Sequence, residues 1–588
     1  MWQNSQTQKN SMRKRMQSTL SYAFLALMVG IAAPLAILLT TSSVKVQAQS
    51  FPAYQYTKTF DATNGSAYPT GLNCLRVDSQ GNIYVTGQFN GTIIFDGPGG
   101  SDSVTTPATN TFLTKYNPDG SYAWTKTFDE SSAGSRSDGR GIAIDNQDNV
   151  YLASYFHGTV KFDGPGGTHS VTSAHDTSAV TKFNANGTYA WTKTIDASAA
   201  SSASRIMGIG TDANGNLYYG GSFNGTTIMD GPGGSDSVTA AASQDTFITK
   251  YNANGTYAWT KTFDDTLSTV LTTVGLAVDN SGDTYITGQF NGTVKFDGQG
   301  GTDARTVSQQ TSYLTKYDAN GGYGWTKTIA NSGGGSNFAQ TNTITVDTHN
   351  NVYISGTLNG TATFDGPGGS DTVTANNQTF FLTRYNANAS YGWTKIGDAQ
   401  ASSSAGTIGS VTDEAGNVYV TGYFVGTVSF DGPGGSDVQT AASSNGDCFT
   451  TSYTSSGAYK WTKTFDTSID PNSFAEGDVV AVNNKTGVLY VAGDIAGQVN
   501  FGGTDLTDIK DGGPSDTVSL TAYRVFTPVA GQTSGVSNSG AATPGAPSTG
   551  YGQYRDYIPI VIVSITSALL CVVGASSKNL ALKRHHSA

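Results

Sequence analysis

Short runs in which apolar and polar residues alternate, each closed by glycine, asparagine or aspartate, recur along most of the chain. In one unit, residues 71–77 form such a run and stop at Asp78-Ser79-Gln80-Gly81-Asn82. Ile83-Tyr84-Val85-Thr86-Gly87 follows, and after a long excursion come residues 112–116 and 122–128. A period of two with turn residues between the runs predicts four short strands. Asn-Gly between the third and fourth runs, as at Asn186-Gly187 and Asn254-Gly255, predicts tight hairpins, because both turn positions tolerate positive φ. The unit then returns. Trp124 reappears as Trp191, Trp259, Trp325, Trp393 and Trp461, with Tyr56 in the matching place near the start, at intervals of 66 to 68 residues. Self-similarity at a fixed period sets the architecture before any local detail does, and four antiparallel strands per unit describe a propeller blade.

The two ends of the repeat region complement each other. The last unit supplies strand candidates at 479–482, 488–493 and 520–525, but no Trp-Thr-Lys-Thr run follows them. The missing run stands at the other end, at 54–60. The expected fold is therefore all-β: a seven-bladed β-propeller of four-stranded blades over residues 49–526, its ring closed by the N-terminal strand completing the last blade, plus a C-terminal transmembrane helix. Lys58, Lys126, Lys193, Lys261, Lys327, Lys395 and Lys463 recur on the predicted outermost strand, where lysine blunts an exposed edge.

Composition agrees with that picture. Only 13% of the 588 residues are charged, 73 are glycine, and 30 tyrosines and 26 phenylalanines supply packing, a profile of short strands and tight turns. The formal net charge of −11 argues against nucleic-acid binding, which needs a basic footprint. Cys74, Cys448 and Cys571 are too few and too scattered for a disulfide framework, and are expected to be inert thiols.

The termini carry different signals. Residues 1–48 have a basic lead (Lys9, Arg13, Lys14, Arg15), an apolar run and Val46-Gln47-Ala48, the order of a secretory signal peptide or signal anchor. Residues 527–555 are a Gly/Ser/Thr/Pro-rich spacer, 556–577 an expected transmembrane helix whose residues 558–575 are uncharged, mostly apolar and about long enough to span a bilayer, and 578–588 a short basic tail expected in the cytoplasm. The chain is thus expected to be exported and anchored to the cell membrane or cell wall with the propeller outside, as a monomeric propeller.

The segment Asp-x-x-Gly-Asn-x-Tyr-Val-Thr-Gly, at 78–87 and 413–422, leads in the first unit to Phe-Leu-Thr-Lys-Tyr-Asn-Pro-Asp-Gly-Ser-Tyr-Ala-Trp-Thr-Lys-Thr-Phe. Together these resemble the SBBP-type β-propeller repeats of bacterial exported proteins. The resemblance implies a surface or secreted scaffold and carries over no catalytic residue. Ala546-Pro547-Ser548-Thr549-Gly550 resembles a sortase cell-wall sorting signal, departing from it at the first residue.

Candidate chemistry lies in the excursion between the second and third strands, which repeats Asp-Gly-Pro-Gly-Gly, with Gln299 in the proline's place in the fourth copy. Its aspartate pairs are Asp96 with Asp102, Asp230 with Asp236, Asp297 with Asp303, Asp365 with Asp371, and Asp431 with Asp437. As a metal site these residues would suit Ca²⁺, which prefers carboxylate and carbonyl oxygens, although two carboxylates fall short of the six to eight oxygens it takes. As a turn, the glycines and proline set the backbone and the aspartates cap it. No cofactor is expected otherwise. His157, His169, His175 and His349 have no metal-ligand spacing, no nucleophile or phosphate-loop motif is present, and no cluster of carboxylates that break the repeat is visible along the chain. These features point to a binding or adhesion scaffold with an extracellular protein or glycan partner. A structural surface-layer component, or a glycan hydrolase or lyase with its site at the channel, are the alternatives.

Overall fold

A computed structural model describes residues 52–526 apart from short stretches at 63–64, 69–73, 131–133, 198–201, 242–243, 266–269, 299, 333–336, 367–368, 370, 468–472, 503–507 and 513–516. The expected signal segment, spacer, membrane span, basic tail and sorting-like motif lie outside the described residues. Among the described residues every regular element is a strand, and no helix is long and apolar enough to cross a membrane.

The repeats supply four antiparallel strands in sequence order, except the last, whose fourth comes from the start of the region. In the second repeat these are Arg136–Ile144, Val150–Lys161, Ser170–Phe183 and Tyr189–Thr194. The third repeat repeats the order with Ala203–Thr211, Leu217–Asn224, Asp245–Tyr251 and Tyr257–Thr262. At the ends of the region, Ala53–Thr59 pairs antiparallel with Thr517–Arg524, which in turn pairs with Val488–Ala496. The hydroxyls of Thr57 and Thr521 meet at 3.0 Å across that seam. The first strands of the repeats, Leu75–Val77, Arg136–Ile144, Ala203–Thr211, Val270–Val278, Phe338–Val346, Ser404–Thr412 and Val479–Asn483, lie in succession against one another, and the last also lies against the first.

The second and third strands differ from the expectation. In the first repeat they run over Ile83–Ile94 and Ser103–Tyr116, well past the predicted ends at 87 and 112. The excursion is therefore a continuation of the hairpin, with Asp96–Asp102 at its tip. Alternation explains it: Ile93 and Phe95 are fully buried, while Thr92 and Thr105 hydrogen-bond at 2.9 Å on the outer side. A register shift between Phe89 and Gly91 marks the bulge where the hairpin bends away from its sheet.

Neighbouring repeats are joined by packing and by backbone. Seven core clusters occur among the described residues, each shared by two adjacent repeats. One joins Leu75, Ile83 and Phe112 of the first repeat to Val479, Tyr490 and Leu520 of the last. The chain leaving one repeat also pairs with the hairpin of the next, as Asp129 does with Lys161 and Asp264 with Lys295. At the hairpin tip between third and fourth strands, Gly187 lies against the Trp124 ring of the preceding repeat, and Gly120 lies likewise against Tyr56. Tyr56 thus takes the tryptophan's place, as its position in the repeat predicts. The lysines beside these aromatics pack over them, Lys126 at 5.0 Å from Trp124 and Lys58 at 5.5 Å from Tyr56.

Candidate functional site

The repeated aspartates fall into two sets, each with its own partners. Asp78, at the end of a first strand, accepts hydrogen bonds from the backbone N–H of Gln80 and Asn82, from Asn82 Nδ2 and from the Tyr84 hydroxyl. Asp212 does the same with Asn214, Asn216 and Tyr218. These are capped turns in which a buried tyrosine locks the cap.

At the hairpin tips, Asp96 accepts from the N–H of Ser101 and Asp102 at 2.8 and 2.9 Å, and Asp230 from Ser235 and Asp236 at 2.9 and 3.0 Å. Asp297 accepts from Thr302 and Asp303, Asp365 from Asp371, and Asp431 from Ser436 and Asp437. The Ser101 N–H foremost holds the Asp96 carboxyl below its ordinary pKa. In three of the pairs the second aspartate faces the fourth strand, where the Tyr257, Tyr323 and Tyr459 hydroxyls donate to Asp236, Asp303 and Asp437. Tyr54 of the first strand donates to Asp508, the same bond formed between the two ends of the chain. Burial and the nearby first carboxylate push Asp102, Asp236 and Asp371 up. The leading carboxylates are thus taken up by their own loops. Asp96, with Lys58, Tyr122 and Lys510, also borders a cavity of about 370 Å³ at the seam between the chain ends.

The irregular residues gather elsewhere. Each first strand pairs with its second strand in one shared register: Asp138 stands opposite Tyr155, Arg205 opposite Ser222, Thr272 opposite Gln289, Gln340 opposite Thr357, and Gly406 opposite Tyr423. In the last repeat the Glu476 N–H bonds to the Asp494 carbonyl at 3.0 Å, so that pair occupies the same level. Just beyond, each first strand shifts register by one residue, which leaves Arg140, Met207, Val274, Asn342 and Ile408 on the bulge. A bulge re-aims the side chain it carries. The scaffold is therefore constant at this level while the side chains vary.

Two charged groups result. On the second and third repeats, a cavity of about 240 Å³ is lined by Arg140, Tyr155, Arg205, Met207, Ser222 and Asn224, among others. Guanidinium groups of Arg136 and Arg205 sit over the Tyr155 ring at 5.9 and 5.7 Å. Arg136 also pairs with Asp176 at 2.7 Å, His157 Nδ1 lies 3.3 Å from that carboxylate, and Arg140 pairs with Asp138. Burial, aided by Asp176, pushes the Tyr155 hydroxyl up. On the last repeat, Glu476, Asp478 and Asp494 bring carboxylate oxygens within 4.8 Å of one another. That set has the chemistry of a hard-cation ligand group and supplies three of the six to eight oxygens calcium takes.

The expectation that no repeat-breaking carboxylates cluster is thereby corrected. Glu476 and Asp478 are separated by one residue, and Asp494 joins them only through strand pairing. The available signal was a comparison of the seven copies position by position: Gln88, Tyr155, Ser222, Gln289, Thr357, Tyr423 and Asp494 share one place, and Asp494 alone is charged. Cys74 and Cys448 are buried in different repeats, as inert thiols would be, and Cys571 lies outside the described residues.

No family model matches the chain. It is similar to an uncharacterized WD repeat-containing protein of Acanthamoeba polyphaga mimivirus, 27% identical over 273 residues, which is 39% of this chain. The chain spans about a fifth of that relative's length, 19%. Among solved structures, the polysaccharide lyase Uly1 aligns at 11% identity over 81% of this chain and 100% of the lyase, with a TM-score of 0.38. The β-propeller domain of the Trilobed protease from Pyrococcus furiosus aligns at 7% identity over 76% and 94% of the two chains, with a TM-score of 0.35. Four-stranded antiparallel sheets whose first strands stack side by side are the architecture of a β-propeller, and the chain is a β-propeller repeat protein.

Proposed function

We propose that this chain is an exported, surface-anchored binding scaffold of the SBBP type, a seven-bladed propeller closed by its N-terminal strand, whose ligand site is at one mouth of the ring. The pairing of Ala53–Thr59 with Thr517–Arg524 supports closure, and the seven shared core clusters support the blade count. Export and anchoring draw their support from the order of basic, apolar and small residues at the N-terminus and the apolar stretch at 556–577. One observation carries the binding reading. In a protein of near-identical repeats, charged departures gather on the first and second strands, as Arg140 and Arg205 lining one cavity and as the group of Glu476, Asp478 and Asp494 on the last repeat. Structure alone does not require such residues there, since neutral side chains fill the same places in the fourth and fifth repeats.

The test is an array of glycans and extracellular proteins probed with the detergent-solubilised full chain and with a Ser222→Trp variant that fills the cleft without changing charge. Retention of a ligand by the wild type and its loss by the variant supports a site at the mouth. Equal retention by both refutes it.

A further inference from the structure

Resting on the reading of the chain as exported, we infer that three of its hairpin tips are acceptors for asparagine-linked glycan, at Asn186, Asn254 and Asn388. Each opens an Asn-x-Ser/Thr tripeptide, Asn186-Gly187-Thr188, Asn254-Gly255-Thr256 and Asn388-Ala389-Ser390, the pattern that marks glycan acceptors on surface loops of exported chains. All three occupy one place in the repeat, the turn between third and fourth strands, and both the asparagine and the hydroxyl residue are exposed there. The two side chains are already joined. Asn186 Oδ1 accepts the Thr188 N–H at 3.0 Å and its hydroxyl at 2.7 Å, Asn254 takes the same bonds from Thr256, and Asn388 from Ser390 at 3.0 and 2.6 Å. The carbonyl side of each amide is thus held by the tripeptide's own hydroxyl, and Nδ2, the atom to be modified, makes no hydrogen bond among the described residues. In the transfer, Nδ2 attacks the anomeric carbon of a lipid-linked oligosaccharide phosphate. A C–N bond forms, the C–O bond to phosphate breaks with its electron pair leaving on the lipid phosphate, and one Nδ2 proton passes to a base of the transferring enzyme.

The same tripeptide elsewhere in the chain supplies the contrast. Asn90, Asn224, Asn291 and Asn359 also open it but are partly buried where the long hairpins bend, and Asn90 Nδ2 donates to Ser66 Oγ at 3.1 Å. Asn377 Nδ2 donates to the Ala399 carbonyl at 2.9 Å, and Asn484 Oδ1 is taken by the Glu414 N–H at 3.1 Å. At the tips of the other repeats the chain reads Asp119-Gly120-Ser121, Asn320-Gly321-Gly322 and Ser456-Gly457-Ala458, each lacking the amide or the hydroxyl. The three acceptor tips stand at the end of the sheets that carries the Asp-x-x-Gly-Asn turns, since the Ala185 and Ala253 N–H groups bond to Asn149 and Asn216 at 3.2 and 3.1 Å. Strand register places that end away from Arg205 and Asp494, so glycan on the tips leaves the charged groups uncovered.

The experiment is peptide mass spectrometry of the full chain purified from its own cells, for the wild type, Thr188→Ala and Thr188→Ser. Intact cells are first labelled with a membrane-impermeant amine reagent, which the exposed Lys485 reports. The expected result is one and the same oligosaccharide mass on the peptides of Asn186, Asn254 and Asn388, none on those of Asn90, Asn224, Asn291 and Asn359, and label on Lys485. Thr188→Ala loses the mass at Asn186 alone, and Thr188→Ser keeps it. Bare tips on a labelled chain overturn the inference and leave export standing, whereas bare tips on an unlabelled chain overturn both. Glycan on the asparagines of the bends as often as on the tips, or glycan at Asn186 that survives Thr188→Ala, overturns the assignment to these turns.

Discussion

Glu130 offers a quantitative test of how the repeats are packed. It sits where the chain passes from the first repeat to the second. Its Oε1 accepts the Ser137 hydroxyl at 2.5 Å, and its buried Oε2 has no partner among the described residues. Burial, with a smaller push from Asp129, raises the carboxyl from 4.5 to about 7 against the Ser137 bond. The folded protein therefore holds a proton that the unfolded chain releases. Below about pH 4.5 the group is neutral in both states and costs nothing. Between 4.5 and 7 stability falls as pH rises, and above 7 the full penalty applies. At about 1.4 kcal/mol per pH unit, that displacement amounts to about 3 kcal/mol at pH 8. The Glu130→Gln variant keeps the shape and an acceptor for Ser137 but cannot ionise.

It is thus expected to melt above wild type at pH 8 and together with it near pH 4.5. For about 475 residues unfolding as one unit, 3 kcal/mol corresponds to about 3 °C. Differential scanning calorimetry of both proteins from pH 4.5 to 8.5 measures this, and comparison with the variant cancels other titrating groups such as Asp245 and Asp447. A constant difference across that range, or a variant that melts lower at pH 8, refutes the assignment of the proton to Glu130.

Other substitutions probe the seam, the caps and the thiols. Gly120 has φ of +79° and lies against the Tyr56 ring, whereas Gly99 has φ of +78° with nothing near it. Gly120→Ala is expected to cost about 2 kcal/mol or more and Gly99→Ala only about 1, and equal losses in urea melts would show that the seam is not tightly packed. Asp212→Ala removes four hydrogen bonds around a buried carboxylate and should destabilise by about 3 kcal/mol, against less than about 1 for Asp96→Ala at a hairpin tip. Thermal unfolding of the two variants reads the difference. Cys448 is fully buried and its thiol is pushed well up by that burial. A disulfide reagent at pH 8, followed by peptide mapping, should modify neither Cys448 nor Cys74 until denaturant is added.

Most of the architecture was legible because each repeat restates it. Alternation, the Asp-x-x-Gly-Asn turns and the recurrent tryptophan depend on neighbours within a few residues, and local rules read such features well. The matching of residues 54–60 to the gap after 520–525 was also visible, since an unpaired strand and a missing strand imply each other. The reach of the long hairpins was not. Their extension depends on Thr92 meeting Thr105 and on Ile93 and Phe95 finding the core of the neighbouring repeat, contacts that no single run displays.

The sequence by itself determined that the chain is all-β and that its unit is four strands. These follow from period, turn chemistry and repetition, all short-range. Only the tertiary structure decided which irregular charged residues come together. Arg205 reaches the Tyr155 ring of the preceding repeat, and Asp494 joins Glu476 and Asp478 from a second strand, because strand register and the stacking of repeats put equivalent positions side by side. A few irregular residues scattered through 588 become neighbours when the repeats stack, since stacking turns distance along the chain into adjacency around it.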